Sequence, residues 1–181
     1  MYGVDHRVIR ITYKSHRTRR QLLGELEFLR YLKTRGAAVA VPIPFDSGDK
    51  IITMADFHVC QFERATGAAA SMELPFTPAV IREWGRCIAA FHRLARDFEP
   101  IYQRQSWRED ENHQFGARIP IDQTIVLQRS KELMTRLSKL EESSNSYGLI
   151  HSDAHAGNTV DDKGTLTFFD FDDCRTTCDY L

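Results

Sequence analysis

The 181-residue chain contains no run approaching the ~18 consecutive apolar residues of a membrane-spanning helix, so no span is expected. Met1 is followed by Tyr-Gly-Val-Asp and not by the apolar core of a secretion signal, which reads as a cytoplasmic protein. Cysteine is sparse and scattered, at Cys60, Cys87, Cys174 and Cys178. No CxxC occurs, which argues against a zinc ribbon or a disulfide scaffold and for reduced thiols. No G-x-G and no glycine loop ending in Gly-Lys-Ser/Thr is present, so dinucleotide-fold and P-loop readings lose their motif. Charge of one sign is missing too. A net charge of -1 supplies no broad field for nucleic acid or an anionic membrane, and neither partner is expected. The basic cluster Lys14-Ser-His-Arg-Thr-Arg-Arg20 reads as a solvated helix entrance.

What is present is ordinary for a soluble globular chain, at 42% hydrophobic and 27% charged residues, and long enough for one sizeable core or two small units around a cleft. Residues 6–12, His-Arg-Val-Ile-Arg-Ile-Thr, predict a strand. Residues 17–35 predict an amphipathic helix carrying Leu22, Leu26, Leu29 and Leu32 on one face, with Gly36 at its C-terminus. Strands are expected over 50–54 and 57–62 around an Ala55-Asp56 turn, then a small-residue connection near Gly67. Helices follow over 78–98, with Ile81, Trp84, Ile88, Phe91 and Leu94 on one face, and over 124–142. A short apolar strand is predicted over 166–171 after a hairpin turn at residues 161–164. Strands crowd the first third and helices the middle, which is an α+β pattern.

The chemistry concentrates in His151-Ser-Asp-Ala-His-Ala-Gly-Asn158 and Thr165-Leu-Thr-Phe-Phe-Asp-Phe-Asp-Asp173. Phosphoryl transfer asks a protein for a carboxylate to orient the attacking hydroxyl and for oxygen ligands that hold magnesium against the phosphates. Asp153 suits the first role; Asn158 and Asp170 suit the second. The Asn158 amide ligates without placing another negative charge beside Asp153.

His-x-Asp-x-x-x-x-Asn followed by Asp-Phe-Asp resembles the catalytic and metal loops of the aminoglycoside phosphotransferase and choline kinase superfamily, which is similar to the protein kinases in fold. The resemblance implies ATP and Mg²⁺ as cofactors, Asp153 as catalytic base, and Asn158 and Asp170 as metal ligands. It makes His151 and His155 loop-shaping residues and puts Asp172 beside the metal. "HRVIRITYKSHRTRRQLLGELEFLRYL" is similar to the family segment in which Arg10, paired with Glu25, grips the phosphates; Glu27 is the competing partner. "FHVCQFERATG" resembles the strand and hinge beside adenine, implicating Gln61, Phe62, Glu63 and Ala65. The implied architecture is a two-lobed kinase-like fold: a sheet lobe with one helix over residues 1–62, a hinge over 63–70 and a mainly helical lobe over 71–181. The implied activity is transfer of the γ-phosphate of ATP to a hydroxyl of a small molecule.

Against that pattern the phosphate-covering hairpin and the later acceptor-pocket helices are missing, so the chain reads as cut short at both ends. Two alternatives therefore stay open: a truncated or pseudokinase module that binds nucleotide or a partner without catalysis, and a Ser/Thr protein or homoserine kinase of the same superfamily. A zinc site on His151 and His155 is disfavoured, because Gly157 and the flanking Ser-Asp predict a loop and not a helix.

Overall fold

A computed structural model of the chain describes residues 2–4, 6–69, 77–109, 119–143 and 145–178; residue 70 of the expected hinge lies outside them. Its most extensive pairing joins β2 (Arg7–Tyr13) to β5 (Phe57–Glu63), antiparallel, with Val8 opposite Phe62, Arg10 opposite Cys60 and Thr12 opposite His58. β1 (Tyr2–Val4) adds to the far side of β2, while β3 (Pro42–Ile43) and β4 (Ile52–Met54) both pair with β5. Because side chains alternate along a strand, Val8, Arg10, Thr12, Cys60 and Phe62 share one face of this sheet, whereas Ile11 and Tyr13 are exposed on the other. The β4–β5 turn falls at Ala55, which adopts a positive φ of 43°.

The inner face is covered by α1 (Arg19–Thr34). Its start is fixed by a capping box: the Thr18 hydroxyl accepts from Gln21 N, and the Gln21 side chain accepts from Thr18 N at 2.7 Å. Leu22, Leu26, Leu29 and Leu32, the predicted stripe, are each at most 1% exposed. Burying each contributes about 1.5–3 kcal/mol. Gly36, at φ +80°, takes the left-handed position that ends the helix.

α2 (Pro78–Ala95) has Thr77 as its cap and proline at its first turn. Cys87, Phe91 and Ala95 are buried, with Trp84, Ile88 and Leu94 packed partly against the same core. Ile81 departs from the prediction and is 57% exposed. At about 100° per residue it sits on the rim of the stripe centred on Trp84, Phe91 and Ala95. α3 (Thr124–Leu137) is shorter than predicted and buries none of its residues among those described. No helix among the described residues is long and apolar enough to cross a membrane.

The predicted hairpin is formed by β8 (Thr159–Asp162) and β9 (Thr165–Phe168), turning through Lys163 and Gly164, both at positive φ. The small-residue connection near Gly67 is more than a linker: Ala68–Ala69 form β6, which pairs with β8. β7 (Tyr147–Ile150) pairs with β10 (Arg175–Cys178). Phe168 is tied to the segment after α1 by Ala40 N donating to Phe168 O and Phe168 N donating to Ala38 O, each at 2.9 Å. One hydrophobic core therefore runs from Leu22 and Phe28 on α1 through Phe91 to Phe168, Phe171 and Cys174. It fixes the Arg10 sheet against the loops at 151–158 and 169–174.

Candidate active site

The loop after β7 is organised around His151, which is 3% exposed. Its Nδ1 accepts from Asp153 N at 3.3 Å, so its Nε2 carries the proton and donates to Phe169 O at 3.0 Å. The ring lies 4.2 Å from that of Phe171, and burial holds its pKa below the ordinary histidine value. A neutral imidazole thus joins the two loops. Ser152 turns the chain at φ +67°, leaving Asp153 half-buried. Asn158 Nδ2 donates to Asp153 O at 2.9 Å and to Asp153 Oδ2 at 3.0 Å. The second contact aims the carboxylate, and with Nδ2 so engaged the amide oxygen of Asn158 is not the atom turned toward Asp153. His155 accepts from Gly157 N at 2.9 Å, and its Nε2 lies 3.5 Å from Asp153 Oδ2. A β-carbon at Gly157 would fall 2.6 Å from that ring, so a larger residue there would displace His155 from this position.

Phe169 N donates to Asn158 O at 3.0 Å, bringing the segment at 169–174 beside the loop at 151–158. Asp170 takes a left-handed conformation, φ 60° and ψ 62°, which asparagine and aspartate tolerate better than other residues. From the facing sheet, Arg10 Nη1 reaches Glu25 Oε1 at 2.8 Å and Asp170 Oδ1 at 3.3 Å, while its Nη2 bonds Glu25 Oε2. The Arg10 guanidinium also lies over the Phe62 ring at 4.8 Å. Burial alone would lower the Arg10 pKa, but attraction to Glu25 and the bonds it accepts more than reverse this, so the charge is secure. Burial raises the Asp170 pKa, and the like charges of Asp172 and Asp173 add to it against Arg10. For Asp172 burial is outweighed by Arg10, Arg17 and His16, and its pKa is lowered.

Arg10 and Asp170 line a cavity of about 530 Å³ whose apolar wall is Val8, Leu29, Ala40, Phe62, Val160 and Phe169. Of the segment 61–65 expected at adenine, Phe62, Glu63, Arg64 and Ala65 line this cavity. Gln61 points elsewhere: its side chain donates to Pro44 O at 2.7 Å. Val8 was not expected there, although alternation from Arg10 places both on one strand face. Glu27 has its own task, accepting from Ile101 N and Tyr102 N at 3.1–3.2 Å. The basic cluster is not merely solvated. His16 contacts Asp172 at 3.1 Å, and Arg17 donates to Asp172 O at 3.2 Å and to the Asp173 carboxylate.

The donor set suits magnesium. Among the described residues no three His, Cys, Asp or Glu side chains gather into a self-sufficient metal cage. One carboxylate and one amide, Asp170 and Asn158, match an ion that takes few protein oxygens and fills its sphere with phosphate oxygens and water. Asp172 Oδ1, two residues from Asp170, is buried with no hydrogen-bond partner among the described residues and faces Arg10 Nη2 at 3.8 Å. Zinc does not fit, since both ring nitrogens of His151 are committed.

Comparison with known proteins bears on the family and the fold. The chain is 33% identical over 174 residues to amicoumacin kinase of Bacillus subtilis (strain 168), a match covering 92% of this chain and 52% of that protein. The solved structure of amicoumacin kinase hAmiN in complex with AMP-PNP, Ca²⁺ and Ami superposes with a TM-score of 0.92 at 32% identity, over 96% of this chain and 54% of that one. A microcompartment-associated aminopropanol kinase shares the fold at a TM-score of 0.77 and 24% identity, over 97% of this chain and 61% of that one. The chain spans about half the length of the curated relatives it matches. The sequence model of the phosphotransferase enzyme family matches residues 3–177, and the chain belongs to that family.

Proposed function

We propose that this chain forms the nucleotide- and metal-binding part of an ATP- and Mg²⁺-dependent phosphotransferase that moves the γ-phosphate of ATP to a hydroxyl of a small molecule. The carrying observation is the 3.3 Å contact between Arg10 and Asp170 on one cavity wall, which joins a phosphate-gripping cation to a metal-loop carboxylate. In this reading the two-lobed division at residues 1–62, 63–70 and 71–181 places the nucleotide between the lobes. Phe62, Glu63 and Ala65 flank the adenine. Arg10, pre-oriented by Glu25, binds phosphate oxygens through two donors. Asp153, aimed by Asn158, orients the acceptor hydroxyl and takes its proton. Asn158 and Asp170 hold the magnesium, which when bound neutralises charge building on the phosphates. His151 keeps the two loops in register. The names amicoumacin kinase and aminopropanol kinase favour a small-molecule acceptor for this protein as well.

The test is turnover of ATP with Mg²⁺ by the purified chain and by Asp153→Asn. Loss of the base is expected to lower turnover by about 10²–10⁴-fold while nucleotide binding persists. Equal, background turnover in both proteins would overturn the catalytic reading and leave a nucleotide-binding module.

A further inference from the structure

The stretch between α2 and the residues outside the description, at 98–109, crosses α1 and then runs beside β10. Arg104 lies within it, and its guanidinium donates to three backbone carbonyls: Nε to Cys174 O at 2.8 Å, Nη1 to Gln21 O at 2.8 Å and Nη2 to Asp172 O at 2.5 Å. Gln21 is one helical turn before Glu25 on α1, and Asp172 lies within, and Cys174 ends, the turn Phe171–Asp173 that follows Asp170. We propose that Arg104 is a positioning residue of the phosphotransfer site, fixing the distance between the helix that carries Glu25 and the loop that carries Asp170. The inference rests on the function proposed above.

The chemistry favours this role over charge neutralisation. All three of these bonds go to neutral carbonyls, each in a different direction, and only a planar fork of donors serves them together. A lysine ammonium at the same place would reach one or two. The strap is itself anchored on both sides of Arg104. Before it, the Glu27 carboxylate accepts from Ile101 N and Tyr102 N. After it, Trp107 N donates to Thr176 O at 2.9 Å and Thr176 N donates to Gln105 O at 3.0 Å. Gly24 permits the close crossing, since a β-carbon there would overlap Tyr102 O and stand 3.2 Å from Arg104 Cδ. Arg17 adds one further bond to Asp172 O, at 3.2 Å. The metal loop is therefore held through its backbone, which leaves the Asp170 side chain for its own partner, Arg10.

The experiment measures Mn²⁺ affinity in the presence of AMP-PNP, by calorimetry or by the paramagnetic signal of free Mn²⁺, on the full 181-residue chain. Arg104→Met is expected to weaken Mn²⁺ binding by about tenfold or more, the range seen when a residue supporting a metal ligand is lost. Arg104→Lys is expected to fall between it and the unaltered chain. Tyr31→Phe removes a 2.9 Å bond to Leu94 O, which involves neither residues 169–174 nor Glu25, and serves as a stability control. It should keep full Mn²⁺ affinity even where its melting temperature drops as far. Wild-type affinity in Arg104→Met, or a loss matched by Tyr31→Phe at equal destabilisation, would overturn the proposal. Should Arg104→Met not fold, wild-type affinity in folded Arg104→Lys would overturn it equally. An unaltered chain that binds no Mn²⁺ with AMP-PNP would sink the function and this inference together; a chain that binds while the Arg104 variants bind alike would sink this inference alone.

Discussion

Arg10 Nη1 stands 3.3 Å from Asp170 Oδ1, across 160 positions of sequence, while the same nitrogen donates to Glu25 at 2.8 Å. A strand, a helix and a loop thus meet on one guanidinium. Arg10 is 7% exposed and Glu25 is fully buried, so neither charge is screened by water as a surface pair would be. Desolvating both costs several kcal/mol, offset by paired hydrogen bonds in fork geometry. Such an arrangement is retained more readily for what it binds than for stability alone.

Removing one partner should therefore be costly. Glu25→Gln is expected to destabilise the fold by about 3 kcal/mol, the low end for a broken buried pair because Asp170 and Asp172 remain near Arg10. The double variant Arg10→Met with Glu25→Met should recover most of that loss in urea unfolding yet bind AMP-PNP far more weakly. Nucleotide affinity unchanged in the double variant would remove Arg10 from the phosphate site.

Gly67 adopts φ +123°, and a β-carbon there would lie 2.5 Å from Asp161 O, a backbone atom that cannot move aside cheaply. Gly67→Ala should cost about 1–3 kcal/mol, through strain and through parting β6 from β8. Gly85, inside α2 with open space around it, is the counterpart. Gly85→Ala should stabilise by roughly 0.5–1 kcal/mol. Similar effects of the two substitutions on thermal unfolding would contradict this assignment.

His151 makes a pH prediction whose sign follows from burial. Its folded pKa lies below the ordinary value, so the unfolded chain takes up the proton first as pH falls. Stability should therefore be lost between pH 7 and pH 5, at most about 1.4 kcal/mol per pH unit for this residue. His58, lowered in the same direction by burial, is shared by every variant and cancels in comparison. Denaturant unfolding of His151→Gln should show a shallower fall over that range. Parallel pH profiles would mean that folding leaves the proton affinity of His151 unchanged, against a buried neutral imidazole.

The sequence carried different parts of this molecule unequally. The α1 stripe was legible because leucines recurring every three or four residues leave few other folds for that segment. So was the β8–β9 turn, since Asp-Asp-Lys-Gly supplies residues that accept positive φ. Arg10, Glu25, Asp153, Asn158 and Asp170 could be singled out by spacing and resemblance, and the structure gathers them in two facing loops and one strand–helix pair. Gln61 was grouped with Phe62 as neighbours in sequence, but strand alternation sends their side chains to opposite faces. Glu27 could be weighed only as a rival to Glu25, because its partners, Ile101 and Tyr102, arrive from far along the chain. Arg104 could be given no role for the same reason: its acceptors are backbone carbonyls, which carry no sequence signal. The 124–137 helix was read correctly as a helix, yet periodicity could not say that its apolar residues, such as Ile125 at 75% exposure, would go unburied among the described residues.

The most direct measurement of the central claim is a calorimetric titration of Mg²⁺·AMP-PNP into the chain, repeated with Asp170→Asn and Asn158→Leu. If the Asp170 carboxylate and the Asn158 amide jointly ligate the ion, the unaltered chain binds and both variants lose at least tenfold in metal-dependent affinity, while metal-free nucleotide binds all three alike. Magnesium-dependent affinity that is the same in all three proteins would contradict the account.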